Sequence, residues 1–590
     1  MRSSRRPPHL ILVLADDLGY NGVGYRNPDI RTPTIDGLAA SGLRLESVYT
    51  APLCGPSRSS LLTGRLPHKL QASVNNFATF WSEEGIHPSY ALLPEQLRRS
   101  GYLTALVGKW HGGFSHARYL PTSRGFDSFY GFLGGCETHD TQQNCCDACD
   151  AKRYPGVGQP VDLYRDALPA YGENGTALFS HNCLRFGAAA LEAIRRHAER
   201  GRSDPASLAP FFLFLALQDP HAPLQTPERF ASLYDHAHAL RNVWSGMVSA
   251  IDETLMNVSA ALKATGMWSR SLLLFTSDNG SPVGGWGAGG SNFPLKGGKG
   301  SLWEGGIRTF GIVNGGWLPG ARRGVALRGL MHLTDLYATF CTLATRRATH
   351  SYGEGSGGNR GGCGHDEGVA PTDSLDLSPW WLGVSEHSPR TEILHAFIYG
   401  RCVVLRVGRW KLVACGVAQA QWFGRFSPDL NASVLRATAA LEMEVAAEKV
   451  RLTRLVGAGG ISKRQHYNRM RYLHHQSQET PARLAFAKLE AAMAKVECSW
   501  ERACLFDIEA DPEERHDVSQ NNPATARLLQ ARVRQLWQSE TRSMRAKRSI
   551  SLSAAYGIRT APILNRTGFC AASAAHKGFM VPWEDHTTLS

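Results

Sequence analysis

Short, unbroken apolar runs recur along the chain, and each gives way at once to polar residues that can do chemistry. His9 to Leu14 runs into Ala15-Asp16-Asp17-Leu18-Gly19, and Leu103 to Val107 into Gly108-Lys109-Trp110-His111. Phe211 to Leu217 runs into Gln218-Asp219-Pro220-His221, and Ser271 to Ser277 into Asp278-Asn279-Gly280. Continuous apolar runs of this length suit parallel strands buried on both faces. Helical spacing over Leu93 to Ser100, Ala188 to Glu199 and Asn242 to Thr265 predicts the connections. Strands alternating with helices predict an α/β fold, a large and mostly parallel sheet sandwiched by helices. Such sheets bind ligands beyond the carboxyl ends of their strands, so Asp16, Asp17, Lys109, His111, His221, Asp278 and Asn279 are expected along one sheet edge.

From about Glu392 the pattern changes. Val403 to Val413 reads as two strands around a turn, Leu505-Phe506-Asp507 as a closing strand, and Ala524 to Trp537 as a helix. The expected organisation is a catalytic α/β unit over 1–390 and a small C-terminal unit over 391–590, an antiparallel sheet plus helix. Ser433 to Gly457 and Thr480 to Ser499 predict an inserted helical arm at about 430–500, read as a solvated hairpin or as a basic surface for an acidic glycan. The Gly-rich stretch from Tyr352 to Gly368 reads as a surface connection.

The most specific segment is Leu53-Cys54-Gly55-Pro56-Ser57-Arg58-Ser59-Ser60-Leu61-Leu62-Thr63-Gly64-Arg65. A Pro suited to a first helical turn, then small polar residues and an apolar run, place Cys54 where a loop enters a helix N-terminus, a position that attracts anions. The plain alternative is a buried Cys acting as a small hydrophobe. Asp16, Asp17, Asp278 and Asn279 offer only oxygen ligands, which selects Ca²⁺ or Mg²⁺ over zinc. Arg58, Lys109 and Lys299 are cations suited to the oxygens of an anionic ligand there. Taken singly, an Asp pair after a strand is often a cap and a lone His a structural residue; their shared placement after strands favours a site.

Composition sets outer bounds. The 590 residues exceed one ordinary core. A net charge of +13 favours polyanionic partners, but no helix-turn-helix, finger or aromatic-interleaved basic stripe supports nucleic acid. No apolar run approaches the ~20 residues of a transmembrane helix. Met1 to Pro8 is basic and is followed only by the short run Leu10 to Leu14, so no signal peptide is read; the protein is intracellular or its true N-terminus lies upstream. With Cys54 set aside for chemistry, twelve of the thirteen Cys remain, an even number that permits disulfides. Cys145-Cys146-Asp147-Ala148-Cys149 has no second pair at zinc spacing, which favours disulfides there too. Glycosylation sequons begin at Asn174, Asn257, Asn279, Asn431 and Asn565.

The segments already quoted, with His221-Ala222-Pro223 and Lys299-Gly300-Ser301-Leu302-Trp303-Glu304-Gly305-Gly306-Ile307-Arg308, resemble in order the motifs of the type I sulfatases, which have an alkaline phosphatase-like fold. Ile30-Arg31-Thr32-Pro33, Pro121-Thr122-Ser123-Arg124-Gly125-Phe126-Asp127, Gly246-Met247-Val248-Ser249-Ala250 and Cys504-Leu505-Phe506-Asp507-Ile508 look most like the arylsulfatase B (N-acetylgalactosamine-4-sulfatase) branch. The likeness is good over about 9–345 and patchy beyond.

The resemblance implies a sulfuric ester hydrolase of arylsulfatase type. Cys54 would be oxidised to formylglycine by a formylglycine-generating enzyme, and its hydrate would attack the sulfur of a sulfate ester. It implies one Ca²⁺ held by Asp16, Asp17, modified Cys54, Asp278 and Asn279. Arg58 would hold the hydrate, Lys109 and Lys299 would clamp the sulfate, and His221, with Lys299, would protonate the leaving alcohol. His111 would take a proton from the hydrate's second hydroxyl. Lys296 stands at the wrong distance from Glu304-Gly305-Gly306 for the role given to Lys299. Gly112 replaces the usual Leu and Gly55 the usual Thr or Ser, neither of which supplies catalytic atoms. The implied substrate is a sulfated sugar or glycosaminoglycan, and the implied location is the secretory pathway, lysosomal or extracellular. A phosphonate or phosphate ester hydrolase on the same scaffold and an inactive glycan-binding protein are the competing readings.

Overall fold

A computed structural model describes residues 6–70, 82–145, 149, 159–173, 181–201, 209–236, 239–283, 289–345, 373–398, 402–415, 498–546, 566–577 and 579–582. The inserted arm and the Gly-rich stretch expected at 352–368 lie outside the described residues, apart from the arm's end near Cys498.

Eleven strands form the large sheet: β1 (His9–Ala15), β2 (Leu43–Tyr49), β3 (Leu103–Lys109), β4 (Ser128–Phe132), β5 (Tyr164–Arg165), β6 (Leu168–Pro169), β7 (Phe211–Ala216), β8 (Ser271–Ser277), β9 (Arg308–Asn314), β10 (Ala326–Leu327) and β11 (Met331–His332). Their order is β10-β2-β9-β8-β1-β7-β3-β4-β5-β6, with β11 beside β2. The centre, β8-β1-β7-β3-β4, is parallel, and β9 runs antiparallel to both β8 and β2. Leu14 pairs with Ala216 on one side and Thr276 on the other, so β1, β7 and β8 end level.

Both faces of the sheet are covered, which is why its central strands lack polar alternation. Leu10, Leu12 and Leu14 face a core shared with Leu61, Leu93, Leu97, Leu336 and Phe340 from helices Cys54–Thr63, Leu93–Arg99 and Asp335–Thr345. Ile11, Val13 and Ala15 face Phe186, Ile194, Val248 and Ile251 from helices Asn182–Arg200 and Ala239–Ala264. Each of the buried Leu, Ile, Val and Phe side chains contributes about 1.5–3 kcal/mol on leaving water. Gly108 permits the tight spacing of β3 on β7, since a Cβ there would stand 2.0 Å from the Ala216 carbonyl oxygen.

The second sheet is antiparallel, in the order β12 (Glu392–Ile398), β13 (Cys402–Val407), β14 (Trp410–Cys415) and β15 (Cys504–Asp507). One face packs Val403, Leu405, Leu412 and Leu505 on Ala526, Leu529 and Val533 of helix Pro523–Ala546. The other packs Val404, Val413 and Phe506 on Trp303 of the large unit. Beside Trp303 lies a closed group of buried charges. Glu304 meets Lys411 at 3.1 Å and Arg406 at 3.3 Å, Lys411 meets Glu514 at 2.7 Å, and the Tyr49 hydroxyl donates to Glu304 at 2.6 Å.

Disulfides join Cys136 to Cys145, Cys149 to Cys570, Cys402 to Cys415 and Cys498 to Cys504. Cys341 is also disulfide-bonded. Cys54 and Cys183 are free and buried. The Cys149–Cys570 bond draws the last described segment onto the large unit, where Phe569, Met580 and Val581 enter one core and Phe579 the other. Among the described residues no helix is long and apolar enough to cross a membrane.

Candidate active site

The level carboxyl ends of β1, β7 and β8 place their following residues together, and hydrogen bonds lock them there. The Asp16 N–H donates to the Asp219 carbonyl at 3.1 Å, tying the end of β1 to the loop after β7. Asp17 sits at φ 66°, a left-handed conformation that costs a non-glycine residue about 1–3 kcal/mol and is held only where surroundings enforce it. Its N–H donates to Asp278 Oδ1 at 3.3 Å, and its carboxylate accepts from Asn279 Nδ2 at 2.6 Å. Gly280 lets the Gly305 carbonyl pass close by, where a Cβ would meet it at 1.7 Å.

Three cations close on these carboxylates. Arg58 donates from Nε to Asp278 at 3.0 Å and lies 3.5 Å from Asp16. Lys109, the last residue of β3, pairs with Asp16. Lys299 reaches Asp17 at 2.8 Å. Lys296 lies instead over the Trp303 ring, 3.5 Å from its centroid. Cys54 opens helix Cys54–Thr63, with Pro56 in the first turn, where amide donors have no partner within the helix. Arg58 follows one turn later on the same helical face, and Cys54 is near enough to Arg58, Lys299 and Asp278 to bear on the ionisation of all three.

Burial and crowding set the protonation. Burial opposes ionisation of Asp16, but Lys109, His221 and Arg58 outweigh it and hold the carboxyl far below its usual range. Asp278 goes the other way, raised well above the ordinary carboxylate value by burial and by Asp16 despite Arg58. The two share Arg58, and like charges this close resist joint ionisation. His111, at φ 53°, is buried with neither ring nitrogen hydrogen-bonded. Burial, then Lys109, drives it well below the ordinary imidazole value. His221 falls to about 4 through burial and Lys299; its Nδ1 lies 2.6 Å from the Ala222 carbonyl and its Nε2 3.7 Å from Asp17.

Asp16, Asp17, Cys54, Arg58, Lys109, His111, His221, Asp278, Asn279 and Lys299 thus share one neighbourhood, linked by these contacts and by their mutual electrostatic influence. Asp16 Oδ1 and Asn279 Oδ1 are buried oxygens with no hydrogen bond. An oxygen-only set with two such atoms fits a hard divalent cation such as Ca²⁺.

The family model described as Sulfatase matches residues 8–345. The chain belongs to the sulfatase family. Arylsulfatase J of Mus musculus is 34% identical over 443 residues, covering 70% of this chain and 65% of its own length. N-acetylgalactosamine-6-sulfatase of Rattus norvegicus is 33% identical, covering 58% of this chain and 62% of its own length. The chain therefore spans just under two thirds of these curated relatives. The crystal structure of Ps i-CgsB shares the fold, with a TM-score of 0.61 and 24% identity over 97% of this chain and 100% of that one.

In this sulfatase-family site the motif reading passed over Asp219, His139 and His181, three buried side chains behind His221. Asp219 stands in the same strand-end segment as His221 and was visible as such. His139 and His181 lie in loops with no periodic signal, and only the fold brings them to Asp219.

Proposed function

We propose that this protein hydrolyses sulfate esters, with a sulfated sugar as substrate, through a formylglycine made from Cys54. The observation that carries the reading is the meeting of an oxygen-only carboxylate cluster, three cations and a Cys-led helix N-terminus at one sheet edge. Asp16, Asp17, Asp278 and Asn279, with the modified Cys54, would hold Ca²⁺. When present, the ion draws charge from a sulfate oxygen and the formylglycine hydrate supplies the attacking hydroxyl.

The chain's own residues do the rest. Arg58, fixed by Asp278 and Asp16, orients the hydroxyl at position 54. Lys109 and Lys299 exchange carboxylate partners for sulfate oxygens, stabilising charge where it develops. The Nδ1–H of His221 donates to Ala222, which leaves Nε2 as the nitrogen that carries the proton to the departing alcohol. A bound anion beside Lys299 raises the pKa of His221 from its depressed value and charges it for that step. His111, kept neutral by burial and Lys109, is suited to accept a proton when the aldehyde is restored.

The disulfides and the family support passage through the secretory pathway, where a formylglycine-generating enzyme would act. The finer 4-sulfatase reading rests on the motifs alone. Peptide mass spectrometry across residues 54–58, run beside paired assays on nitrophenyl sulfate and nitrophenyl phosphate, tests the proposal. It expects an aldehyde at position 54 and preference for sulfate. A thiol with no turnover favours the glycan-binding alternative, and preference for phosphate the phosphoryl one.

A further inference from the structure

Behind the loop that carries His221 lies a buried polar layer made of side chains the proposed chemistry does not use. Asp16 and Asp278 are each the first residue after their strands, so the sheet itself sets their places. His221 stands well beyond the end of β7 at Ala216 and needs another anchor. His139, in the loop after β4, supplies one. Its ring is fully buried, and its polar atoms meet the 218–221 segment at three points. Nε2 lies 3.1 Å from the His221 carbonyl and 3.2 Å from the Gln218 amide nitrogen, and Nδ1 lies 3.5 Å from Asp219 Oδ2.

The ring has a fixed base. The His139 N–H donates to Gln225 Oε1 at 2.8 Å, and its carbonyl accepts from the Asn182 N–H at 3.0 Å. His181 stacks on it with centroids 5.0 Å apart and donates from Nε2 to the Gln225 carbonyl at 2.9 Å. The two imidazoles differ in charge. Burial opposes protonation of His139, but Asp219 and the His221 carbonyl outweigh it and raise its pKa, with Asp140 adding to the pull. Burial, backed by His139, lowers that of His181 although Asp219 and Asp140 oppose it. As an imidazolium, His139 pairs Nδ1 with the Asp219 carboxylate and donates from Nε2 to the His221 carbonyl, while the Gln218 amide nitrogen donates to the Glu137 carbonyl at 2.6 Å. Asp219 is gripped on its main chain too, where its carbonyl accepts the Asp16 N–H at 3.1 Å.

We propose that His139 is a positioning residue for His221, holding through Asp219 and the His221 carbonyl the segment that aims His221 Nε2 at the leaving oxygen. The inference rests on the sulfatase reading and deepens it. His139 touches no reacting atom. Its effect passes through the main chain of His221, whose Nδ1 is already committed to the Ala222 carbonyl at 2.6 Å, so a shift of the segment carries Nε2 with it. General acid catalysis contributes about 10²–10⁴-fold, and a misplacement of about 1 Å costs about a hundredfold. The loss is selective. A group that leaves readily as an anion needs little protonation, and one that leaves poorly needs it most. A merely weakened scaffold lowers turnover of both alike.

The test compares kcat/KM on nitrophenyl sulfate with that on phenyl sulfate, whose phenol is the weaker acid and the poorer leaving group. In the full-length protein His139→Gln is expected to lose at least about tenfold more on phenyl sulfate than on nitrophenyl sulfate, with a urea midpoint that shows the variant folded. His221→Ala sets the reference for loss of the acid and is expected to show the same selectivity. Adding His139→Gln to it widens the gap no further, because residues that serve one step are not additive. Asp219→Asn keeps the size of the side chain and removes the charge that His139 pairs with, so it carries the same comparison if His139→Gln does not fold. Equal losses on the two esters in a folded variant, beside a selective loss in His221→Ala, overturn the positioning role and leave the sulfatase reading standing. Further widening in the double variant overturns it equally. No turnover of either ester by the wild-type protein, or no selectivity in His221→Ala, overturns the reading of the site and this inference with it.

Discussion

Two groups of buried charge draw on the Lys299 to Ile307 segment, one through Lys299 and the other through Glu304, and they serve different ends. In the site, Asp16, Asp17 and Asp278 crowd together with Arg58, Lys109 and Lys299, two oxygens stay without hydrogen bonds, and the carboxyls are driven apart in acidity. At the junction of the two sheets, Glu304 and Glu514 are gripped by Lys411, with Arg406 and Tyr49 closing the group. Both groups hold carboxylates near one another and drive them apart in acidity, Glu304 down and Glu514 up at the junction, but the first keeps two oxygens open for a ligand. The second matches each carboxylate with a cation and a hydrogen bond. Function is stored where pairing is incomplete, and stability where it is closed.

The sharpest way to break the contrast is substitution at position 54. Cys54→Ala is expected to lower turnover of nitrophenyl sulfate by about a thousandfold or more while leaving the urea midpoint near wild type. Asp278→Asn should likewise abolish turnover and leave stability equal or higher, because it removes one of the carboxyls that repel each other. A large fall in midpoint for either would show the site to be structural. Next in size is Lys411→Met, which takes from Glu514 its cation and leaves Glu304 to Arg406 and Tyr49, and should destabilise the fold by about 3–5 kcal/mol, read by chemical denaturation. A loss of turnover without that destabilisation would erase the distinction.

A smaller effect separates stability from the site by pH. His9, at the start of β1 and far along that strand from Asp16, accepts the Phe211 N–H on Nδ1 and is depressed to about 3 by burial, Arg270 and His197. A lowered folded value means the unfolded chain binds the proton more readily below about 6.5. Stability from this group is complete above that pH and falls by about 1.4 kcal/mol per unit as pH drops toward the folded value. His9→Gln should flatten the dependence of the urea midpoint between pH 6.5 and 4.5, a window of about two units. An unchanged slope would assign it to other groups. Smallest of all, Glu192→Ala, which removes the exposed pair with Arg196, should shift stability by no more than about 0.5 kcal/mol.

Legibility followed burial. The four apolar runs appear as β1, β3, β7 and β8 because a strand covered on both faces needs an uninterrupted apolar sequence. The strand-end rule then gathered the residues after them without any knowledge of pairing. β2 escaped, since Arg44 and Glu46 interrupt its apolar positions, as did β9, whose end carries no chemical motif. The hairpin of β13 and β14 and helix Pro523–Ala546 were visible from local turn and helical signals. The cluster of His139, His181 and Asp219 and the grip of Lys411 on Glu304 and Glu514 were not, because each depends on side chains distant in sequence that meet only after packing. The even count of twelve Cys did not expose the free thiol of Cys183, which is buried beside Thr254.

The tail fastened by Cys149–Cys570 has a consequence for synthesis. Phe569, Cys570, Met580 and Val581 complete one core and Phe579 the other, although the sheet they cover starts at His9. A premature stop ahead of Phe569 would therefore release a product with gaps in both cores even though every strand of the sheet had been made, and nonsense lesions late in the reading frame should still destabilise it.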